Sequence, residues 1–350
     1  VYDQPVYDAI VVVSFGGPEG PDDVMPFLQN VTRGRGIPPE RLAEVAQHYL
    51  DFGGVSPINA QNRALVAALE ARLAVEGRTL PVYWGNRNWH PFLADTVARM
   101  RDDGVRRAAA FVTSAYSSYS ACRQYLDDIA AARATVGDDA PVIDKLRQFG
   151  DHPGFVEPFV DAVRAGLDAL APHQRERARL VFSAHSIPVS MAGTCDYEAQ
   201  LRDTSRLVAT AVGVGDDGWD LVWQSRSGPP SVPWLEPDIA AHLGVLAARG
   251  VDVVVSVPIG FVSDHLEVVY DLDVVAAAEA ARLGITWRRV PTPGTDPRFV
   301  AMVLELLDER ADTGRPRRHL GGLGVRPDTC ASTCCPAPAR PPATGARPAR

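Results

Sequence analysis

The chain has 350 residues, 46% of them hydrophobic, and a formal net charge of −8. That length suggests two ordinary domains or one large one, with enough apolar residues for real cores. The acidic balance argues against a protein that grips a phosphate backbone or docks on an anionic lipid surface.

No run of 18 apolar residues occurs, and Val1-Tyr2-Asp3-Gln4-Pro5 lacks the basic head and apolar core of a signal peptide. A cytoplasmic protein without integral membrane contact is therefore expected. The five cysteines are odd in number and unevenly spread, unlike a secreted disulfide framework. Lys145 is the only lysine beside abundant arginine and alanine, a usage that reads as genomic base bias.

Residues 9–15, Ala-Ile-Val-Val-Val-Ser-Phe, form an apolar run of buried-strand length. They break into Gly16-Gly17-Pro18-Glu19-Gly20-Pro21, which is neither G-x-G-x-x-G nor G-K-[ST], so nucleotide binding is only weakly signalled. The loop is either a tight turn or a backbone that approaches a flat ligand closely. A short helix is expected over 22–28. Arg33 and Arg35 then share a glycine-flexible loop, as solvated surface or as a bidentate carboxylate clamp. Residues 39–51 read as a helix. In the turn 53–59, Ser56 and Asn59 either cap the helix 60–73 or hydrogen-bond a ligand. A strand over 81–84, a helix over 91–102 and a strand over 106–113 follow. The hydroxyl-rich loop Ser114-Ala115-Tyr116-Ser117-Ser118-Tyr119-Ser120 leads to a helix running from Cys122 to about residue 132. This β-α-β-α-β-α order predicts a parallel, doubly wound sheet.

Residues 141–150 are a weaker strand and connector. A helix over 154–170 and a polar turn precede a second series: strand 180–184, helix 197–212, strand 219–224, a Pro/Gly loop, helix 237–249, strand 251–257, helix 265–283, strand 286–290 and helix 297–310. Two sets of similar size without a strong sequence repeat predict an α/β fold of two similar Rossmann-like domains. Each would have a parallel sheet with helices on both faces, and a ligand cleft would lie between them. The expected boundaries are 7–150 and 151–311, with the last helix a candidate to pack back on the first domain. From 312 the chain is Gly-, Pro- and Arg-rich, carries Cys330, Cys334 and Cys335, and is expected to be mostly disordered after 336.

Two stretches carry the chemistry. His185 ends the apolar run Val181-Phe182-Ser183-Ala184, at the strand end where ligands gather in open α/β sheets. A lone strand-end histidine is more often structural. The flanking Ser183 and Ser186, which can orient the ring, and the sharp stop at Pro188 single this one out. An imidazole can take a proton near neutrality and ligate a metal. Asp264, Glu267 and Asp271 fall at i, i+3 and i+7, one face of a helix, where carboxylates either face solvent or line the passage of a cation. Trp223, Gln224, Ser225 and Trp234 belong to an aromatic, proline-rich loop that either packs between domains or walls a planar ligand.

Phe182-Ser-Ala-His185-Ser-Ile-Pro188 and Pro258-Ile-Gly-Phe-Val-Ser-Asp264-His265-Leu-Glu267-Val-Val-Tyr270-Asp271 resemble the two signature stretches of ferrochelatases. Trp223-Gln-Ser, Pro233-Trp-Leu-Glu-Pro-Asp238, Ser14-Phe-Gly16, Arg33-Gly-Arg35 and Gly53-Gly-Val-Ser-Pro57 are similar to the family too, so the match runs from about residue 8 to 307. The resemblance implies insertion of Fe(II) into a porphyrin in haem biosynthesis, with both as substrates. His185 would accept pyrrole protons and touch the metal, with Glu267 as its partner across the ring. Asp271 would belong to an acidic entry lane whose later acid is replaced here by Val275. Phe15 stands where some bacterial relatives carry an iron-ligating tyrosine, so coordination from that side is expected to be absent. Phe15, Arg33, Arg35, Ser56, Tyr116 and Tyr125 fall where relatives contact the porphyrin or its propionates. Phe15, Trp223 and Pro258 are candidate walls against which a rigid macrocycle is bent.

Within the family the resemblance is to the soluble coproporphyrin III ferrochelatases of actinobacteria, which implies coproporphyrin III as substrate and coproheme as product. Four propionates suit an arginine-lined, water-open mouth. Protoporphyrin IX is the runner-up, followed by a cobalt or nickel chelatase and a non-catalytic haem or metal carrier. Some ferrochelatases hold a [2Fe–2S] cluster on three tail cysteines and an internal one. By that resemblance Cys330, Cys334 and Cys335 are ligands with Cys122 as the fourth and Cys195 behind it, since four thiolates are the norm. The adjacent Cys334 and Cys335 depart from the expected spacing, and free or zinc-bound thiols are the alternative. Other haem-pathway enzymes are the implied partners of a monomer that binds no nucleic acid.

Overall fold

A computed structural model describes residues 6–34 and 36–337, so Arg35 and the end of the tail, for which disorder was expected, lie outside the described residues. Eight short runs, most of them apolar, form strands. β1 (Ala9–Ser14), β2 (Val82–Asn86), β3 (Arg107–Val112) and β4 (Val142–Lys145) make one parallel sheet in the order β2-β1-β3-β4. β5 (Arg179–His185), β6 (Trp219–Gln224), β7 (Val253–Val257) and β8 (Thr286–Arg289) make a second in the order β6-β5-β7-β8. The two halves therefore share one strand order. β1 and β7 are buried at every position, as continuous apolar runs are when helices cover both faces of a sheet.

The helices are α1 (Pro21–Val31), α2 (Pro39–Leu50), α3 (Ile58–Val75), α4 (Leu93–Asp102), α5 (Gln124–Val136), α6 (Pro153–Asp168), α7 (Pro172–Arg175), α8 (Val189–Ala192), α9 (Tyr197–Ala211), α10 (Ile239–Ala248), α11 (Leu266–Val269), α12 (Ala277–Arg282) and α13 (Pro297–Ala311). The continuous helix expected over 265–283 is instead α11, a π-helical stretch Tyr270–Ala276, and α12. A π turn also opens the helix at Cys122, over Tyr119–Arg123. Apolar periodicity assumes 3.6 residues per turn and cannot register these wider turns, which recur at functional sites. The four-residue α7 and α8 are too short to show a period.

The largest apolar cluster joins both sheets. It includes Ile10, Val12 and Phe111 from the first, Leu180, Phe182 and Val255 from the second, and Phe155, Phe159 and Phe299 from α6 and α13. α13 packs on both α6 and α3. Separate clusters cover the outer faces, with Met100 and Ile129 under the first sheet and Leu243 and Leu272 under the second. A fourth cluster ties α1 and α2, through Val24, Phe27, Leu28 and Tyr49, to Leu266 at the start of α11.

In each sheet the chain leaves the first strand on one side and returns on the other, so a crevice opens at the carboxyl ends of neighbouring central strands. In the second sheet those strands are β5 and β7, which places the segments after His185 and after Val257 side by side. Gly260 allows the contact. A Cβ there would stand 2.5 Å from the Ala184 Cβ, and the Gly260 N–H donates to Ser183 O at 3.0 Å.

The described part of the tail is held by polar anchors more than by apolar burial. Arg147 and Glu309 form a buried pair at 2.7 Å, and Glu309 also accepts the Arg318 N–H at 3.0 Å. Leu320 N–H donates to Asp151 O at 2.8 Å, and Arg326 pairs with Asp196 at 2.6 Å. A composition-based reading, which weighs apolar content, does not register such anchors. Among the described residues no helix is long and apolar enough to cross a membrane.

Candidate active site

His185 sits at the last position of β5, partly exposed. Its Nδ1 lies 2.5 Å from Ser186 O. A carbonyl can only accept, so Nδ1 carries a proton, and Nε2 is the nitrogen that faces outward. The orienting group is thus the Ser186 backbone and neither serine hydroxyl, since Ser186 Oγ donates to Leu235 O at 2.8 Å and Ser183 Oγ is buried. The Tyr197 hydroxyl donates to His185 O at 3.1 Å and fixes the main chain behind the ring. Outward of the ring, Nε2 faces Glu267 Oε2 at 3.7 Å.

Glu267 is placed by the other half of the molecule. Leu266 N–H, at the first turn of α11, donates to Ser56 Oγ at 3.3 Å, and Asp264 N–H donates to Gln61 Oε1 at 2.8 Å. Ser56 therefore does not cap α3, which has no side-chain cap, but satisfies an amide at the start of α11. It is 3% exposed. Gly17 is pressed against it, since a Cβ at Gly17 would stand 2.6 Å from Ser56 Cβ. The close approach expected of that glycine loop is thus to Ser56.

Asp271 follows in the π stretch. Burial, first, and the charge of Glu267 push its carboxyl from 3.8 up to about 6, while a hydrogen bond from the Ser225 hydroxyl and the charge of His185 oppose the rise. Ser225 holds a left-handed backbone, φ 59°, at the end of β6. Strain of that kind gathers at functional sites. Gln224 Nε2 reaches Asp271 at 3.5 Å. Asp264 does not join this row, because it precedes α11 and pairs with Arg289 at 3.1 Å, as Asp273 does at 2.7 Å. Burial and the charge of His185 lower His265 to about 4, so its ring beside Phe261 is neutral near pH 7.

Of the expected substrate contacts, Phe15 is partly exposed, edge-on to Phe27 at 6.3 Å with the Arg87 guanidinium 5.8 Å from its ring centroid. Arg33 is exposed on the loop after α1, and Arg35 lies outside the described residues. The others stand behind the surface. Tyr116 is 1% exposed and donates to Ile259 O at 2.9 Å. Tyr125 is 5% exposed, and its ring lies 4.4 Å from the Arg87 guanidinium. Trp223 is 3% exposed against Tyr197, and Pro258 is buried. Large aromatic surfaces at strand ends are driven into the core wherever one adjoins, so these rings back the cleft.

The ferrochelatase family model matches residues 7–311. The chain belongs to the ferrochelatase family. It is 57% identical to the coproporphyrin III ferrochelatase of Nocardia farcinica, over 97% of this chain and 99% of that one. It is 54% identical to that of Streptomyces griseus, over 98% and 97%. In fold it is similar to the sirohydrochlorin chelatase SirB of Bacillus subtilis subspecies spizizenii, with a TM-score of 0.51, 11% identity, and coverage of 87% of this chain and 94% of that one.

This ferrochelatase also carries a cysteine-lined cavity of about 660 Å³ between α5, the α8–α9 connection and the tail. Cys122, Cys195, Cys330, Cys334 and Cys335 all line it. The Cys334 and Cys335 sulfurs approach to 3.6 Å. Adjacent side chains in extended backbone point to opposite faces, and the left-handed φ of 50° at Cys335 is what turns both inward. Burial and the neighbouring thiols push Cys330 and Cys335 above the ordinary thiol range, and Cys122 contributes to both shifts. Cys195 Sγ lies 3.3 Å from Met191 O, a local hydrogen bond. Among the described residues no three His, Cys, Asp or Glu side chains gather tightly enough to hold a single ion.

Sequence reasoning did not single out Gln61, Arg87 or Tyr197, whose partners are fixed only by the fold. Ser225 carried a usable signal, as a hydroxyl following directly on the apolar strand β6.

Proposed function

We propose that the protein inserts ferrous iron into coproporphyrin III to give coproheme, in the cytoplasm. The observation that carries this reading is the His185–Glu267 pair at 3.7 Å, held at the strand-end crevice by Ser186 O on one side and Ser56 on the other. The names of the relatives support coproporphyrin III as the porphyrin.

Two pyrrole N–H protons leave as iron enters, so the cleft needs a base. His185 Nε2, which faces outward beside the exposed Glu267, accepts one pyrrole proton and passes it to solvent before taking the second, and the Glu267 carboxylate stabilises the imidazolium formed each time. Asp271, with Ser225 and Gln224, offers oxygen donors on the approach to that pair and attracts a hard or borderline dication. Phe15 supplies an apolar wall and no ligand atom. Arg33 and Arg35 fit the propionates as guanidinium–carboxylate partners.

A [2Fe–2S] cluster belongs to this reading only through the family resemblance: Cys122, Cys330, Cys334 and Cys335, the four thiols it would use, line one cavity but do not gather tightly enough among the described residues to hold a single ion, and the Cys195 thiol is engaged with Met191 O. When bound, such a cluster supplies one-electron chemistry and cross-links the tail to the turn that precedes α5.

The deciding experiment is anaerobic incubation with Fe(II) and either porphyrin, followed by absorbance. Multiple turnovers with coproporphyrin III, lost in His185→Ala, are expected. Turnover with protoporphyrin IX alone reverses the substrate assignment, and stoichiometric uptake without turnover makes the protein a carrier.

A further inference from the structure

The acids at the crevice sit on a segment that is held from behind. Asp264 precedes α11, and Asp273 lies in the π stretch Tyr270–Ala276. Arg289, the last residue of β8, joins the two. Its Nε donates to Asp273 Oδ1 at 2.7 Å and its Nη2 to Asp273 Oδ2 at 2.9 Å, while Nη1 donates to Asp264 Oδ1 at 3.1 Å. Among the described residues neither carboxylate has another charged partner. The Arg289 side chain is 17% exposed, and it grips one carboxylate with two prongs and a second with the third, which sets it apart from a loose surface pair. Glu267 and Asp271 both lie between the two residues it clamps.

A second tie holds the segment from the other side. The sheet order β6-β5-β7-β8 makes β6 and β8 its opposite edges. Asp271 accepts from Ser225 Oγ and Gln224 Nε2 at the end of β6, and Asp273 accepts from Arg289 at the end of β8. The π stretch therefore spans the carboxyl ends of the strands and is fixed at both edges. Residues two apart on a helix do not share a face, so turning Asp273 to β8 turns Asp271 away from it. Apolar burial does less to fix this winding. Leu272 and Ala276 are the buried residues of the stretch, while Val274 and Val275 are 40% and 38% exposed. A π turn is a rare form, closed by i→i+5 bonds, and one that rewinds as α-helix re-aims every side chain around it.

We propose that Arg289 is a positioning residue for iron insertion. By tying Asp264 to Asp273 it fixes the winding of the π stretch, and with it the aim of Glu267 at His185 and of Asp271 at the approach. This rests on the function proposed above. A role as mere counter-charge has the opposite consequence. Removing a cation from beside the acids leaves Asp264 and Asp273 unneutralised, deepens the negative potential and lowers the KM for a dication. Loss of positioning raises it.

The test is steady-state kinetics of the full chain, kept anaerobic, with Fe(II) varied against saturating coproporphyrin III. Arg289→Met is expected to raise the KM for iron and to lower kcat, each about tenfold, the usual scale for a residue that orients a metal-handling group. Porphyrin binding, read by fluorescence quenching, is expected to stay as in the wild type. If the methionine variant does not fold, Arg289→Gln, which also removes the charge, is measured instead. Asp273→Asn opens the clamp from its other end and is expected to lower kcat by a similar factor. The double variant should be no slower than the worse single one, because the two residues act as one unit. Arg289→Lys keeps the charge but cannot fork across two carboxylates, and is expected to recover less than half of the loss. A lower KM for iron in the neutral variant, or full recovery in Arg289→Lys, overturns the inference and leaves Arg289 a counter-charge. Unchanged kinetics with a lower Tm overturn it as well and leave a brace between β8 and the π stretch. Wild-type protein that turns over neither coproporphyrin III nor protoporphyrin IX overturns the proposed function itself, and the inference with it.

Discussion

His185 Nε2 stands 3.7 Å from Glu267 Oε2; both side chains come from the second half of the chain, and the turn that carries Glu267 is tied to Ser56 of the first. Each needs the other, one to take a proton and one to balance the charge that follows. Removing either is expected to lower kcat by about 100-fold or more, the usual scale for a positioned base. Groups that act as a unit are not additive. The His185→Ala, Glu267→Gln double variant should therefore be little slower than the worse single one. Initial rates of coproheme formation check this, with porphyrin fluorescence quenching showing that binding persists.

Ser56 links the halves through one hydrogen bond to the first amide of α11. Ser56→Ala leaves that buried N–H without its acceptor and is expected to cost about 1 kcal/mol of stability. Because the turn it holds carries Glu267, kcat should fall several-fold as well. Urea denaturation and steady-state rates separate the two effects. Unchanged rates with reduced stability would leave Ser56 a purely structural tie.

Asp271 binds its proton more tightly folded, at about 6, than at the ordinary 3.8. Between those values the native state holds more protons than the unfolded one, so stability falls as pH rises through that window. The penalty is complete above about pH 6, and on the linkage scale amounts to about 3 kcal/mol. Asp271→Asn is expected to stabilise the protein by that order at pH 7.5 and to change little at pH 4. It should also raise the KM for iron. Denaturation at the two pH values is the measurement, and equal effects at both would count against burial as the cause.

The sequence made some of this legible and hid the rest for identifiable reasons. β1 and β7 could be read because every residue in them is buried, so the apolar run is unbroken. His185 could be read because a polar residue ends such a run. The role of Ser56 could not, since its partner lies 210 residues away and no local pattern encodes it. The burial of Tyr116, expected as a porphyrin contact, and of Trp223, expected as a wall, could not be read, because an aromatic residue at a strand end can face a ligand or the core, and here both pack against Tyr197 at the start of α9.

The buried pair Arg147–Glu309 anchors the tail as well as the core. Glu309→Ala leaves the guanidinium buried without its counter-charge, and is expected to destabilise the protein by about 3–5 kcal/mol. Because Glu309 also accepts the Arg318 N–H, limited proteolysis of the segment beyond residue 312 should accelerate. Thermal denaturation and the cleavage pattern check the two parts.

Phe15 is partly exposed, its ring carrying no donor atom, edge-on to Phe27 and with Arg87 beside it. Phe15→Tyr adds one oxygen at that wall, next to a guanidinium that favours its ionised form. If this wall covers the face of the macrocycle opposite His185, the new phenolate ligates the ferric product. The ferric coproheme complex of the variant is then expected to gain a phenolate-to-iron charge-transfer band that the wild-type complex lacks. Product should bind about tenfold tighter and kcat should fall, because the added bond strengthens the product complex more than the transition state. A variant complex with the wild-type spectrum would place Phe15 away from the metal and leave Arg87, stacked between Phe15 and Tyr125, as a structural cation.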